Sequence, residues 1–321
     1  MEKRLLRTLP SLACELECYL VYDKAVAPFA AQLLSGGAFR GSLALSVSDA
    51  GKTMDTVLDI CRYLMNAGAT RQAFVVALGG GTLTDMAGFA AAIYKRGIRY
   101  ANIPTTLLAQ VDAGIGGKTG VNLDGYKNMI GAFRQPEWVW LWPETLSTLP
   151  AREYRCGLAE LLKTFLVADA AAYEQALRCP EAMAMKAAEI KEAITERDPY
   201  DRGERRKLNL GHTFAHAIEH VALQRGDDIR HGEAVAMGII LAARLGEALA
   251  VMPGECRASK LAADFAACGL PVECPYPLAE LVEAMNKDKK GENDGVRFVL
   301  LRRIGETEEK VLRPEELLRL L

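Results

Sequence analysis

All four histidines of this 321-residue chain fall in one short stretch, with His212, His216 and His220 at successive helical turns and His231 opening the next helical pattern. Residues four apart share a helix face, so His212 and His216 present two imidazoles side by side, the nitrogen donors that zinc takes in tetrahedral sites. The pair is not the metalloprotease H-E-x-x-H, because Thr213 follows His212. Any one of these histidines alone reads more simply as a surface or capping residue. The crowding of Arg205, Asn209, Glu219 and Glu233 around them shifts the balance toward a site.

Two glycine-rich segments add a second kind of chemistry. Gly79-Gly80-Gly81-Thr82-Leu83-Thr84-Asp85 follows an apolar run at 74–78 and precedes a helical pattern at 86–94. Glycines let a backbone turn sharply against a pyrophosphate, and the first turn of the following helix supplies free N–H groups. The spacing departs from G-x-G-x-x-G because position 84 is Thr, so a plain tight turn remains open beside a nucleotide site. Asp112-Ala113-Gly114-Ile115-Gly116-Gly117-Lys118-Thr119 resembles a triphosphate loop but has Asp112 where the first glycine belongs, which argues against an ATPase. It reads as a flexible loop presenting Asp112 and Lys118, with Lys127 and Asn128 following.

Cations are the third feature: Lys163, Lys191, Arg205 and the Lys287-Asp288-Lys289-Lys290 run. Such charges usually make a solvated helix face. Glu160 and Lys163 differ, because they interrupt an otherwise uncharged stretch at 156–168, where burial without partners is unfavourable. A metal and an anionic substrate would supply partners.

These residues need elements to hold them. Short β-rich runs at 18–22, 43–47, 74–78, 98–103 and 138–141 alternate with helical stretches, which is the pattern of a parallel sheet wrapped by helices. Between the second and third runs Met54, Val57, Leu58, Cys61, Leu64 and Met65 recur at helical spacing, ending at Gly68. After Pro150 the patterns are helical, at 151–168, 180–197, 203–222, 231–250 and 254–268, with one strand at 296–301 and a last helix at 314–321 opened by Pro314. The expected organisation is an α/β Rossmann-like domain over 1–149 and a mostly helical domain over 150–321, with the site in a cleft between them.

A formal charge of −2 gives no bulk attraction for nucleic acid. No apolar run near the N-terminus suits a leader or membrane span, so a cytosolic protein is expected. The eight cysteines are scattered without C-x-x-C spacing and read as reduced structural thiols.

The segments GGGTLTDMAGFAA, RGIRYANIPTTLLAQVDAGIGGKTGVN, KNMIGAF, GLAELLK, RRKLNLGHTFAHAIEH and HGEAVAMG, in that order, resemble the 3-dehydroquinate synthase family over about residues 49–290. The resemblance implies a metal, zinc or cobalt, on Glu160, His212 and His231. His216 then becomes a substrate-contacting or proton-handling residue rather than a ligand. It implies NAD held by Asp49, Lys52, Gly80, Gly81, Thr82, Asp85, Thr105, Thr106, Lys127, Thr145, Thr148 and Leu149. Substrate contacts would fall on Asp112, Lys118, Asn128, Lys163, Lys191, Arg205, Asn209, His216 and either Lys289 or Lys290. Arg96 matches an arginine that reaches the neighbouring subunit's substrate, which implies a homodimer. The implied reaction converts 3-deoxy-D-arabino-heptulosonate 7-phosphate to 3-dehydroquinate and phosphate, with NAD reduced and regenerated within one turnover.

Three positions depart from the family pattern: Asp49 and Asp201 replace usual glutamates, and Ala215 stands where H-T-F-G-H has glycine. The rivals are other sugar-phosphate cyclases such as 2-deoxy-scyllo-inosose synthase, a glycerol-type metal alcohol dehydrogenase, and a non-catalytic homologue. Arg205 and Asn209 favour the first family named, since an arginine there suits a substrate carboxylate.

Overall fold

The computed structural model describes residues 5–9, 17–124, 126–252, 257–288 and 295–321. Cα packing divides the chain into two compact units, 1–154 with 191–200, and 155–190 with 201–321. The sequence places one boundary at 149/150; the packing also gives 191–200, the end of a helix that starts in the second unit, to the first.

The first unit is built on six parallel strands: β1 (Leu5–Leu6), β2 (Glu17–Asp23), β3 (Gly41–Leu45), β4 (Ala73–Gly79), β5 (Arg99–Pro104) and, after a separate antiparallel hairpin of β6 (Lys118–Leu123) and β7 (Tyr126–Phe133), β8 (Val139–Trp140). Their order is β1-β8-β5-β4-β2-β3, and α1 (Ala27–Ser35), α2 (Met54–Asn66) and α3 (Gly81–Ile93) make the crossovers. Strand β2 shows why: Tyr19 and Val21 enter one apolar cluster, Cys18 and Leu20 another, and all four are buried. A strand buried on both faces must be apolar throughout, as a parallel sheet covered on each side requires.

Thr53 caps α2 by accepting from Thr56 N, and Gly68 follows its end at φ +74°. Its buried face is Val57, Ile60 and Leu64, whereas Met65, part of the apolar pattern, is exposed. The segment at 112–119 is not the flexible loop its glycines suggest. A π-turn at Ala109–Ala113 and left-handed Gly116 and Gly117 deliver the chain into β6. A side chain at Gly117 would meet the Arg134 carbonyl at 2.7 Å, so glycine is there for a close approach.

The second unit carries α4 (Ala151–Leu166, from Arg155 on), α5 (Ala170–Ala176), the first part of α6 (Pro180–Arg197), α7 (His212–Arg225), α8 (His231–Ala248), α9 (Ala258–Ala267), α10 (Leu278–Asp288) and α11 (Leu317–Leu320). Part of 203–222 is a 3-10 turn at Glu204–Asn209, not α-helix. The strand expected near 296–301 has an antiparallel partner, giving the hairpin β9 (Val296–Arg303) and β10 (Glu306–Leu312). The last segment is a 3-10 turn at Pro314–Glu316 leading into α11, and α10 falls where no helix was expected. Among the described residues no helix is long and apolar enough to cross a membrane, and Cys18, Cys61, Cys156, Cys179, Cys268 and Cys274 are free thiols.

Candidate metal centre and dinucleotide-binding residues

Three helices of the second unit meet almost backbone to backbone. A Cβ on Gly232, in the first turn of α8, would lie 2.3 Å from Cys156 Cα and O on α4. One on Gly238 would lie 2.3 Å from the carbonyl of Gly211, the left-handed residue (φ +78°) from which α7 starts. No side chain other than hydrogen fits these crossings. Ala215, the departure from the family's glycine, is fully buried beside this crossing, its backbone N 3.0 Å from where a Cβ on Gly238 would lie.

The crossings bring one donor from each helix together. Glu160 from α4, His212 from α7 and His231 from α8 offer ligand atoms all within 4.8 Å of one another. The Nε2 atoms of His212 and His231 stand 3.6 and 3.5 Å from the same Glu160 Oε1. Glu160 is fully buried. Lys163 Nζ lies against its Oε2, yet neither carboxylate oxygen accepts a hydrogen bond of good geometry. A buried carboxylate short of donors and facing two imidazoles is the donor set of a zinc-type cation, so the residues fit one.

The charges agree. Burial alone would raise the Glu160 carboxyl, but Lys163, His231 and His212 hold it well below the ordinary carboxylate range. His212 is pushed down to about 3 by burial and by Lys163. His231 rises to about 10: burial opposes this, and the carboxylates of Glu219 and Glu160 overcome it. His216 is exposed, its ring 5.7 Å from that of His212, outside the converging group. Arg205 is buried at 4% exposure in the 3-10 turn, and Asn209 at the end of that turn is exposed.

The first unit gathers most of the residues expected to hold the dinucleotide. Gly80 starts α3 without a side-chain cap, leaving the first-turn amides to a ligand or water. Side chains at Gly80 and Gly81 would meet Thr106 Cγ2 at 3.1 Å and Ala113 Cβ at 2.8 Å, so the backbone is bare where these segments close on it. Thr105 N donates to Gly79 O. Lys52 Nζ donates to Asp85 Oδ2 and Asn128 Oδ1, each at 2.6 Å, and Lys127 pairs with Asp49 at 3.3 Å. Lys191 Nζ donates to the main-chain carbonyl and side chain of Asp112. Lys118 is exposed at the start of β6. Thr145 is buried and donates its hydroxyl to Trp142 O, while Thr148 donates to Thr145 O and Leu149 ends that turn. Arg96 is exposed and left-handed (φ +70°) after left-handed Lys95. Lys289 and Lys290 lie outside the described residues.

Burial raises Asp85 to about 6 against the opposing pull of Lys52. The folded protein therefore binds this proton more tightly than the unfolded chain, whose carboxyl keeps its ordinary value of 3.8, and stability falls as pH rises from about 4 through about 6. Lys52→Met removes the opposing charge, so the fall should deepen and extend upward. Melting curves should show a deficit against wild type that grows between pH 4 and pH 7.5; a deficit constant over this range would refute the coupling.

Two residues carried no sequence signal strong enough to assign a role. Gln110, buried, donates from Nε2 to Pro104 O, Trp142 O and Thr145 Oγ1, tying the ends of β5 and β8 together. Glu219 accepts from or faces His231 Nδ1 at 3.3 Å; its place two turns after His212 was the available clue.

The 3-dehydroquinate synthase N-terminal family model matches residues 42–156 and the C-terminal model residues 157–291. A 3-dehydroquinate synthase of Halorhodospira halophila is 44% identical over 300 residues, covering 89% of this chain and 84% of its own. That of Pyrococcus abyssi is 39% identical over 98% of this chain and 95% of its own. Among solved structures, ValA (2-epi-5-epi-valiolone synthase) from Streptomyces hygroscopicus subsp. jinggangensis 5008, with NAD+ and Zn2+ bound, superposes with a TM-score of 0.84 at 28% identity, covering 98% of this chain and 94% of ValA. A 2-deoxy-scyllo-inosose synthase, at TM-score 0.80 and 24% identity over 95% of this chain and 90% of its own, shares the fold. Fold and site thus define an enzyme of the sugar-phosphate cyclase class. Within that class, the two family models and the identities near 40% decide the branch: the chain belongs to the 3-dehydroquinate synthase family.

Proposed function

We propose that this chain converts 3-deoxy-D-arabino-heptulosonate 7-phosphate to 3-dehydroquinate and phosphate in the cytoplasm, with NAD and Zn2+ or Co2+ as cofactors. The observation that carries the reading is the convergence of Glu160, His212 and His231 on one point beside the buried cation of Lys163. When bound, the metal supplies Lewis acidity to substrate hydroxyls and NAD supplies a reversible hydride acceptor. The chain's own residues do the rest. Glu160, His212 and His231 would hold the metal. Gly80 to Thr82, the amides opening α3, would face the pyrophosphate, with Asp49, Lys52, Asp85, Thr105, Thr106 and Lys127 around them. Arg205 suits a bidentate grip on the substrate carboxylate. Lys118, Asn128, Lys163, Lys191 and Asn209 suit its phosphate and hydroxyls, and Asp112 orients Lys191. The exposed imidazole of His216 suits taking or returning a proton at a ring nitrogen.

Purified protein with NAD and zinc should release inorganic phosphate from the heptulosonate phosphate and lose that activity to a chelator. Release from glucose 6-phosphate or sedoheptulose 7-phosphate instead would assign it to another cyclase. A homodimer accompanies this reading, through the resemblance at Arg96, which is exposed beside left-handed Lys95. Sedimentation of the same preparation should return twice the chain mass; a monomer would refute it.

A further inference from the structure

The two imidazoles of the centre are fixed from behind by different partners. His212 Nδ1 faces the main-chain carbonyl of Leu210 at 3.3 Å. His231 Nδ1 faces Glu219 Oε1, also at 3.3 Å, while its Nε2 points to Glu160. Glu219 is itself buried, its side chain 7% exposed, on the α7 helix that carries His212. A carbonyl and an ionised carboxylate only accept hydrogen bonds, so each holds a ring proton on Nδ1, and it is Nε2 that gives up its proton and offers a lone pair when the ring binds a metal. The two histidines differ in how much they need this. His231 is the first residue of α8 and its side chain is 33% exposed, against 14% for His212, so packing restrains its ring less.

We propose that Glu219 is a positioning residue: by accepting a hydrogen bond from His231 Nδ1–H it sets the orientation and tautomer that present His231 Nε2 to the metal. The inference rests on the metal centre described above. Glu219 is not a further ligand of that centre, because its carboxylate sits on the Nδ1 side of the ring, away from Glu160. It links α7 and α8 at the point where both deliver a donor.

The test is zinc affinity, measured by competition with a chromophoric chelator, for the full-length wild type, Glu160→Ala, Glu219→Ala and Glu219→Gln, with the visible spectrum of the Co2+-loaded proteins. Glu219→Ala should bind zinc about 10- to 100-fold more weakly and shift the Co2+ bands. Glu219→Gln keeps an accepting oxygen and should recover most of the affinity, to within about 3- to 10-fold of wild type. Wild-type affinity and spectrum in Glu219→Ala, or an equal loss in both Glu219 variants, overturns the inference. Should Glu160→Ala bind zinc as tightly as wild type, the centre itself is refuted; a loss there with none in Glu219→Ala refutes only the role of Glu219. Melting of the metal-free variants separates the two origins of an effect, since a merely structural glutamate would lower the melting temperature and leave the Co2+ spectrum of the loaded protein unchanged.

Discussion

Glu160→Gln should lose its metal and, with it, about three orders of magnitude or more of turnover, since a cation of this kind contributes several kcal/mol of charge stabilisation and each 1.4 kcal/mol is about tenfold in rate. The substitution keeps the shape of the side chain and removes the charge that faces both His212 and His231. The metal-free fold should be destabilised as well, because Lys163, 1% exposed, loses the carboxylate of Glu160 as its buried counter-ion. Zinc should therefore raise the melting temperature of the wild type and leave that of the variant where it is. Metal content by atomic absorption after desalting gives the direct reading, and a stoichiometric zinc in Glu160→Gln would refute the ligand assignment.

Gly232→Ala should damage the same centre without touching a donor. Its new methyl would stand 2.3 Å from the backbone of Cys156, one turn before Glu160, so α8 and α4 must separate. Overpacking of this sort typically destabilises by about 1–3 kcal/mol. The separation also moves His231, the neighbouring residue, and a shift near 1 Å at a reacting centre lowers rate by about 100-fold. Gly246→Ala, on the same helix, is the control. Its methyl would meet Met252 Cβ at an ordinary 3.6 Å, and Gly246 lies inside α8. Replacing a helical glycine there should stabilise by about 0.5–1 kcal/mol. Opposite signs for the two in denaturant unfolding are the expected result, and equal signs would mean that the helix contact is not the cause.

That contact also shows where sequence reading stopped. The doubly covered sheet was legible because strands such as Ala73–Gly79 are apolar at every position, and a strand buried on both faces has no alternation to misread. The helices bearing the histidines were legible from the long helical patterns after Pro150, although α8 is buried at every position from Ala234 to Ile240 and has no single apolar stripe. The hairpin partner Glu306–Leu312 was missed because its residues are mostly charged and half exposed, so the strand is held by its neighbour Val296–Arg303 and not by a pattern of its own. The π-turn at Ala109–Ala113 was hidden by glycines that looked like slack and serve close approach instead. Spacing alone pointed to His212 and His216 as a pair. Only the crossings of α8 with α7, at Gly211 and Gly238, and with α4, at Gly232, make His231 the nearer partner of His212 for Glu160, and such crossings are three-dimensional facts that one-dimensional periodicity does not encode. Glu219 was in view among the polar neighbours, but its meaning depends on a residue of the next helix.

The incompletely satisfied carboxylate of Glu160 reaches past catalysis. A cation held by one donor from each of three helices would complete the fold as much as activate it, and free ion at a thousand times its dissociation constant would add about 4 kcal/mol to the folded state. Supply of the element in the cell would then set how long each molecule survives proteolytic surveillance, and scarcity would thin the population before it slowed the survivors.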